Sequence, residues 1–149
     1  MRLLAVGCIL AFAGWPSRGH AQAANADSVR STRTGVYSAA QVEFGRDIYV
    51  MNCASCHTAV SHTGPGFVAA WHGRRLWDLF RYVSERMPKS QPGSLSQREY
   101  ARVVAYLLMM NGMPAGSDEL VADSTALKRV QIELKTAGDS TQRKGPDRW

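Results

Sequence analysis

Cysteine is scarce in this chain: three residues among 149, at positions 8, 53 and 56. With no second cysteine pair, a zinc site of the usual two-pair kind lacks half of its ligands. Long apolar runs are also missing. Beyond the N-terminus no segment reaches the ~20 apolar residues that a membrane-spanning helix needs. No internal repeat is apparent. Acidic residues are outnumbered, 12 against 18 basic, and the formal charge of +6 describes a mildly basic protein rather than a nucleic-acid binder. Hydrophobic residues, by contrast, make up 45% of the chain, too many for a disordered polymer. The length suggests one small domain with extensions.

The N-terminus reads as an export signal. Arg2 supplies a short positive region and Leu3 to Ala13 an apolar run. Ala21-Gln22-Ala23 then offers the small-x-small pattern of a signal peptidase site, with Ala24-Asn25-Ala26 as a second candidate. Cleavage is expected after Ala23. The competing reading is a membrane anchor, but the run is short and Trp15-Pro16-Ser17-Arg18 ends it abruptly. A lipoprotein attached through Cys8 is disfavoured, because Ala5 stands where a leucine is expected. Removal of residues 1–23 takes Arg2 and Arg18 away and lowers the formal charge of +6 by two. It also leaves Cys53 and Cys56 as the only cysteines of a periplasmic chain with no transmembrane segment.

In an oxidising compartment two cysteines suggest a disulfide. Here they read Cys53-Ala54-Ser55-Cys56-His57, the C-x-x-C-H signature of c-type haem attachment. Each thiol adds to one vinyl group of the porphyrin, and the two intervening residues span the distance between the vinyls. His57 then lies under the iron as the proximal ligand. A thioredoxin-like motif would need a strand ahead of it, whereas Ser38 to Asn52 reads as a helix. Zinc would need a fourth ligand, for which only His62 and His72 could be invoked. A plain disulfide leaves His57 without a role.

A second axial ligand must come from elsewhere. Met51 is too close to the motif to reach the opposite face, and Met109 and Met110 sit on a helix, where methionine is usually core filler. Met87 is followed by Pro88 and the irregular loop Lys89-Ser90-Gln91-Pro92-Gly93-Ser94, which can hold a thioether over the iron. Met87 is favoured, and Met113, in a turn, is its main competitor. Histidine–methionine ligation raises the potential relative to two histidines and closes the iron to exogenous ligands. Electron transfer is then the natural task.

Three helices frame the motif. Ser38 caps a helix from Ala39 to about Val50, with Gly45 in its middle at a cost of about 1 kcal/mol relative to alanine. Gly73 to Glu85 forms the second, with Leu76, Leu79, Phe80 and Val83 as its buried stripe. Arg74, Arg75, Arg81 and Arg86 fill its other positions, either as a plain solvated face or, with Lys89, as a positive collar that steers acidic partners. Ser96-Gln97-Arg98-Glu99 is a capping box opening the third, which buries Tyr100, Val103, Val104, Leu107 and Leu108 and ends at Asn111-Gly112. Trp71 and Trp77 are expected as core or haem-wall aromatics. The expected organisation is therefore a signal peptide at 1–23, an N-terminal extension at 24–36 and a haem-binding core at 37–112. A C-terminal extension at 113–135 follows, with a short helix from Ser124 to Leu134, capped by Ser124 and with Leu127, Val130 and Leu134 apolar, lying against the domain surface. Residues 136–149 read as a flexible tail.

The chain from Gly35 to Val130 resembles the class I monohaem cytochromes c. More narrowly, it is similar to the periplasmic cytochrome c subunits and domains that accompany quinoprotein alcohol and aldehyde dehydrogenases. The resemblance is carried by Tyr49–His57, Gly64-Pro65-Gly66-Phe67 with Trp71, and Leu76-Trp77-Asp78-Leu79-Phe80. It continues through Met87-Pro88, Pro92-Gly93-Ser94-Leu95-Ser96, Glu99-Tyr100, Ala105-Tyr106-Leu107-Leu108 and Asn111-Gly112. It implies an all-α cytochrome c fold of three to five helices around one covalently bound haem c, whose first and last core helices cross near Gly45. It implies His57 as proximal and Met87 as distal iron ligand. A carbonyl in the Gly64-Pro65 region would accept the hydrogen bond of His57 Nδ1. The chain departs from the family between His57 and Gly64, where a short segment carries Ser61-His62, which leaves His62 as an exposed histidine near the haem. The implied protein is an electron carrier rather than an enzyme, working between a dehydrogenase and a respiratory acceptor. The alternatives are a haem sensor or ligand-binding module and a small peroxidase-like protein.

Overall fold

The structure, a computed structural model, describes residues 28–134; the expected signal peptide and the whole of the expected tail lie outside the described residues. It is mostly helical, with five α-helices among the described residues: α1 Ala39–Asn52, α2 Gly64–Trp71, α3 Leu76–Arg86, α4 Gln97–Met110 and α5 Ser124–Lys128. The only sheet among them is one two-stranded parallel pair, β1 (Arg30–Ser31) beside β2 (Val130–Gln131), with Arg30 opposite Val130. The all-α expectation stands.

Helices α1 and α4 form the main packing unit. Ser38 opens α1, its hydroxyl accepting the Gln41 N–H at 3.2 Å. Gly45 faces α4 so closely that a Cβ placed there would lie 2.0 Å from the carbonyl oxygen of Arg102. This contact is the physical reason for a glycine in mid-helix: only a residue without Cβ lets the two backbones meet. The capping box at the start of α4 is complete: the Ser96 hydroxyl accepts from Glu99 N–H and the Glu99 carboxylate from Ser96 N–H. Tyr100, Val104 and Leu108 follow on the buried face of α4. On α3 the stripe Leu76, Leu79, Phe80 and Val83 is buried as the spacing predicts.

Three elements differ from the sequence reading. Helix α3 begins at Leu76 rather than Gly73, because Gly73 adopts a left-handed φ of 78° in the turn that follows α2. Helix α5 is shorter than expected and is capped by Asp123, whose carboxylate accepts the Ala126 N–H at 2.7 Å. The chain after α5 turns into β2 instead of continuing as helix.

The third difference concerns packing. The segment after Gly112 does not merely lie against the surface: Met113, Leu120, Leu127, Val130, Ile132 and Leu134 are all buried in the core. Buried polar side chains tie this segment down. The Gln41 amide donates to Leu120 O at 2.7 Å and accepts from Leu120 N–H at 2.8 Å. The Thr32 hydroxyl donates to the Met113 sulfur at 3.2 Å and accepts from Glu133 N–H at 3.0 Å. Ile132 exchanges backbone hydrogen bonds with the turn after α2, accepting from Gly73 N–H at 2.7 Å and donating to Arg74 O at 2.9 Å. Each of these groups would cost about 1–3 kcal/mol if buried without its partner. No described helix is long and apolar enough to cross a membrane.

Candidate functional site

The last turn of α1 runs directly into the Cys53–His57 segment. Cys53 and Ala54 both donate their N–H groups to Tyr49 O, at 2.8 and 3.1 Å. The carbonyl of Cys53 in turn accepts from Cys56 N–H at 3.1 Å and His57 N–H at 2.9 Å. This tight turn carries both thiols and the imidazole to the same side. Cys53 is half-buried and Cys56 exposed, and both are free thiols. Burial pushes the Cys53 thiol above the ordinary cysteine range.

These three side chains line a cavity of about 570 Å³. That volume falls within the ~300–1,000 Å³ typical of small-molecule and cofactor sites. Its walls are drawn from every helix except α5. Helix α2 gives Phe67 and Trp71, α3 gives Leu79 and Val83, and α4 gives Val103 and Leu107. Met87, Pro88, Lys89 and Ser90 close it from the loop after α3.

Met87 is placed by two contacts. Its N–H ends α3 by donating to Val83 O at 3.0 Å. Its carbonyl accepts from the Tyr100 hydroxyl at 2.6 Å, which fastens the loop to the start of α4. Met113 lies elsewhere: it is buried in the core, does not line the cavity, and its sulfur is engaged by Thr32. Trp71 lines the cavity, while Trp77 does not; Trp77 stacks on Phe80 with ring centroids 5.8 Å apart and lies under Lys128. The expected cluster Cys53, Cys56, His57 and Met87 is thus brought together. Pro65 is not part of it, being exposed in the first turn of α2 and absent from the cavity wall.

His62 was expected as an exposed histidine and is instead half-buried in the cavity wall. Its ring lies 4.6 Å from the His57 ring and 5.7 Å from that of Tyr49, centroid to centroid. Burial, and then the neighbouring His57, lower its pKa below the ordinary histidine value. Asn111 holds the segment in place: its side-chain amide donates to His62 O and to Leu107 O, both at 2.8 Å. The signal in the sequence was the short Ser61-His62 segment itself, but distance along the chain did not reveal which way the ring would turn.

The cations also take shape here. Arg74 and Lys89 line the cavity. Arg74 stacks over Trp71 at 5.0 Å and pairs with Asp78 at 3.8 Å. Arg81 and Arg86 line a small groove that shares Trp71, Arg74 and Tyr82 with the cavity wall.

Two free thiols, an imidazole and a thioether around an apolar hollow form a donor set that suits a porphyrin. Among the described residues no group of three or more histidine, cysteine and acidic side chains is arranged to hold a metal ion by itself. No curated protein and no solved structure matches the chain significantly. Residues 40–107, just under half of the chain, match the family model described as cytochrome C oxidase, cbb3-type, subunit III. That match, on a mostly helical chain, supports an electron-transfer module of the class I c-type cytochromes, a group that carries covalently bound haem c.

Proposed function

We propose that the chain is an exported, periplasmic cytochrome c that carries one haem c and passes single electrons from a dehydrogenase to a respiratory acceptor. The observation that carries this reading is the convergence of Cys53, Cys56, His57 and Met87 on one largely apolar cavity. Cys53 and Cys56 would hold the porphyrin by thioether bonds, with His57 as proximal and Met87 as distal iron ligand. The group would supply a one-electron ferric–ferrous couple. The protein's own part is to keep that couple dry and fixed. Phe67, Leu79, Val83, Val103 and Leu107 exclude water, which tunes the potential through the local dielectric. The Tyr100–Met87 hydrogen bond fixes the loop from which the thioether projects. With both axial positions filled by protein, no site is left open for a substrate, which favours an electron carrier over an enzyme.

The donor is a dehydrogenase, and the resemblance over Gly35 to Val130 favours a quinoprotein. Export rests on the signal-peptide pattern of residues 1–23. Arg74, Arg81, Arg86 and Lys89 beside the cavity favour partners with acidic docking faces. The test is expression with an intact cytochrome maturation system, followed by whole-protein mass and visible spectroscopy. The expected product is a red protein whose mature chain carries the added mass of one haem. Cys53→Ala and Cys56→Ala should each lower the yield of attached haem. A colourless mature chain without that mass overturns the proposal. Rapid carbon monoxide binding to the untreated reduced protein would favour a sensor or peroxidase-like role.

A further inference from the structure

The outward side of α3 carries a second concavity. Asp78, Arg81, Tyr82, Glu85 and Arg86 follow one another at helical spacing, on the face opposite the buried stripe of Leu76, Leu79, Phe80 and Val83. With Trp71 of α2 and Arg74 they line a groove of about 140 Å³. Small-molecule and cofactor sites begin at ~300 Å³, so the groove suits a single side chain rather than a second cofactor. Trp71, Arg74 and Tyr82 also line the large cavity, so one wall of side chains stands between that cavity and the surface groove.

The make-up of this wall is not that of a plain solvated face. Tyr82 leaves 48% of its surface in water, yet its ring packs on Trp71 with centroids 5.5 Å apart. The Arg74 guanidinium lies 5.0 Å from the same indole. Tryptophan, tyrosine and arginine are the residue types that dominate the energetics of protein–protein contacts. The charges are also unbalanced. Asp78 is engaged by Arg74 at 3.8 Å, while Arg81 and Arg86 form no ion pair among the described residues. With Lys89 on the loop that closes the cavity, four cations stand against two carboxylates, Asp78 and Glu85.

Resting on the electron-carrier reading above, we propose that this groove receives an acidic side chain of the one-electron redox protein that exchanges electrons with the chain, and that Trp71 and Tyr82 are the contact across which the electron passes. The partner's carboxylate meets Arg81 and Arg86 and supplies the negative charge that the groove lacks. The surface around that carboxylate then covers Tyr82 and removes its ring from water. One electron crosses the wall by tunnelling, one centre being oxidised as the other is reduced. No proton moves, no bond forms or breaks, and neither ring is itself oxidised. The groove contains none of Cys53, Cys56, His57 and Met87, so docking leaves the residues that would hold the cofactor undisturbed.

The test uses the reduced, mature holoprotein with isotope-labelled nitrogen. The probe is hexacyanochromate(III), a paramagnetic anion that does not exchange electrons with it. At low salt the Trp71 indole N–H and the amides of Arg81, Tyr82 and Arg86 should broaden first, ahead of those of Ser55 and Cys56. The effect should fade as salt rises, and Arg81→Gln combined with Arg86→Gln should remove it. Stopped-flow oxidation then tests the aromatic contact. With ferricyanide, an anion of the same shape, Tyr82→Ala should lower the rate constant about tenfold and Tyr82→Phe should keep most of it. With a cationic oxidant, tris(phenanthroline)cobalt(III), the loss should be much smaller, and the ratio of the two rate constants removes any change in midpoint potential. Broadening centred on Ser55 and Cys56, or spread evenly over the basic residues, overturns this inference alone, as does an unchanged ratio in Tyr82→Ala. The broadening is read on the unaltered protein, so it decides even where a variant fails to mature. A chain without attached porphyrin overturns the inference together with the reading on which it rests.

Discussion

Met87 and Met113 share a side chain and little else. The thioether of Met87 belongs to a loop residue on the cavity wall, whereas that of Met113 is buried in the core and accepts the Thr32 hydroxyl. Their truncation should therefore separate ligation from packing. Met87→Ala should abolish the ferric charge-transfer absorption of a methionine–iron bond and let the reduced protein bind carbon monoxide, with a modest change in unfolding midpoint. Met113→Ala should keep that absorption and lose stability by about 2–5 kcal/mol, as large-to-small core substitutions do. Denaturant titrations and optical spectra of the two variants decide the matter. Residues of this kind were partly legible in the sequence. Pro88 and the irregular loop after it pointed to Met87, because an aperiodic segment can reach over a site. Gln41 and Thr32 gave no such sign. Their roles are fixed by partners such as Leu120 and Glu133, far away along the chain, and no local pattern encodes a long-range hydrogen bond.

Among the elements, α3 and α4 were readable because their signals are local: a stripe at helical spacing, and a capping box within four residues. The box makes a pH prediction. Hydrogen bonds from Ser96 hold the Glu99 carboxyl below its ordinary pKa. A folded pKa below the unfolded one means the ionised group adds stability above the ordinary glutamate range, and that this is lost as pH falls through the lowered value. Glu99→Gln should flatten that part of the acid limb of the stability profile, and Ser96→Ala should cost about 1 kcal/mol at neutral pH. The α1–α4 crossing makes a larger one. Gly45→Ala places a methyl against the Arg102 carbonyl, which is backbone and cannot swing aside. The loss should reach or exceed the upper end of the ~1–3 kcal/mol usual for overpacking, measured by chemical unfolding of the holoprotein. Here the sequence supplied the glycine and the family resemblance a helix crossing near it, but the contact atom depends on the register of two helices. The same limit explains α3 and α5. Gly73 and Asp123 are good boundary residues, yet which side of a boundary they serve depends on the chain packed against them. At Gly73 that chain is the strand-like segment around Ile132, which the sequence offered only as helix.

For the whole molecule, the question is how a partner finds the cavity. Arg74 and Lys89 line it, and Arg81 and Arg86 line the groove that adjoins it, with Asp78 and Glu85 the carboxylates sharing that groove. The individual ion pair there, exposed Arg74 with half-buried Asp78 at 3.8 Å, lies at the surface and adds little to stability. Its surroundings matter instead through the field they create at encounter. Exposed charges act over roughly a Debye length of ~8 Å at physiological salt, so the steering belongs to the last stage of approach. Replacing both Arg81 and Arg86 by glutamate reverses that field without touching the residues that would hold the iron. Electron transfer to an acidic partner should slow at low salt, in the bimolecular rate constant measured by stopped flow, and the difference from the unaltered protein should shrink as salt rises. The midpoint potential should stay close to its original value, because both side chains are solvated. A rate constant unchanged at low salt would return these arginines to the role of an ordinary solvated helix face. It would leave the apolar rim of the cavity as the surface that partners recognise.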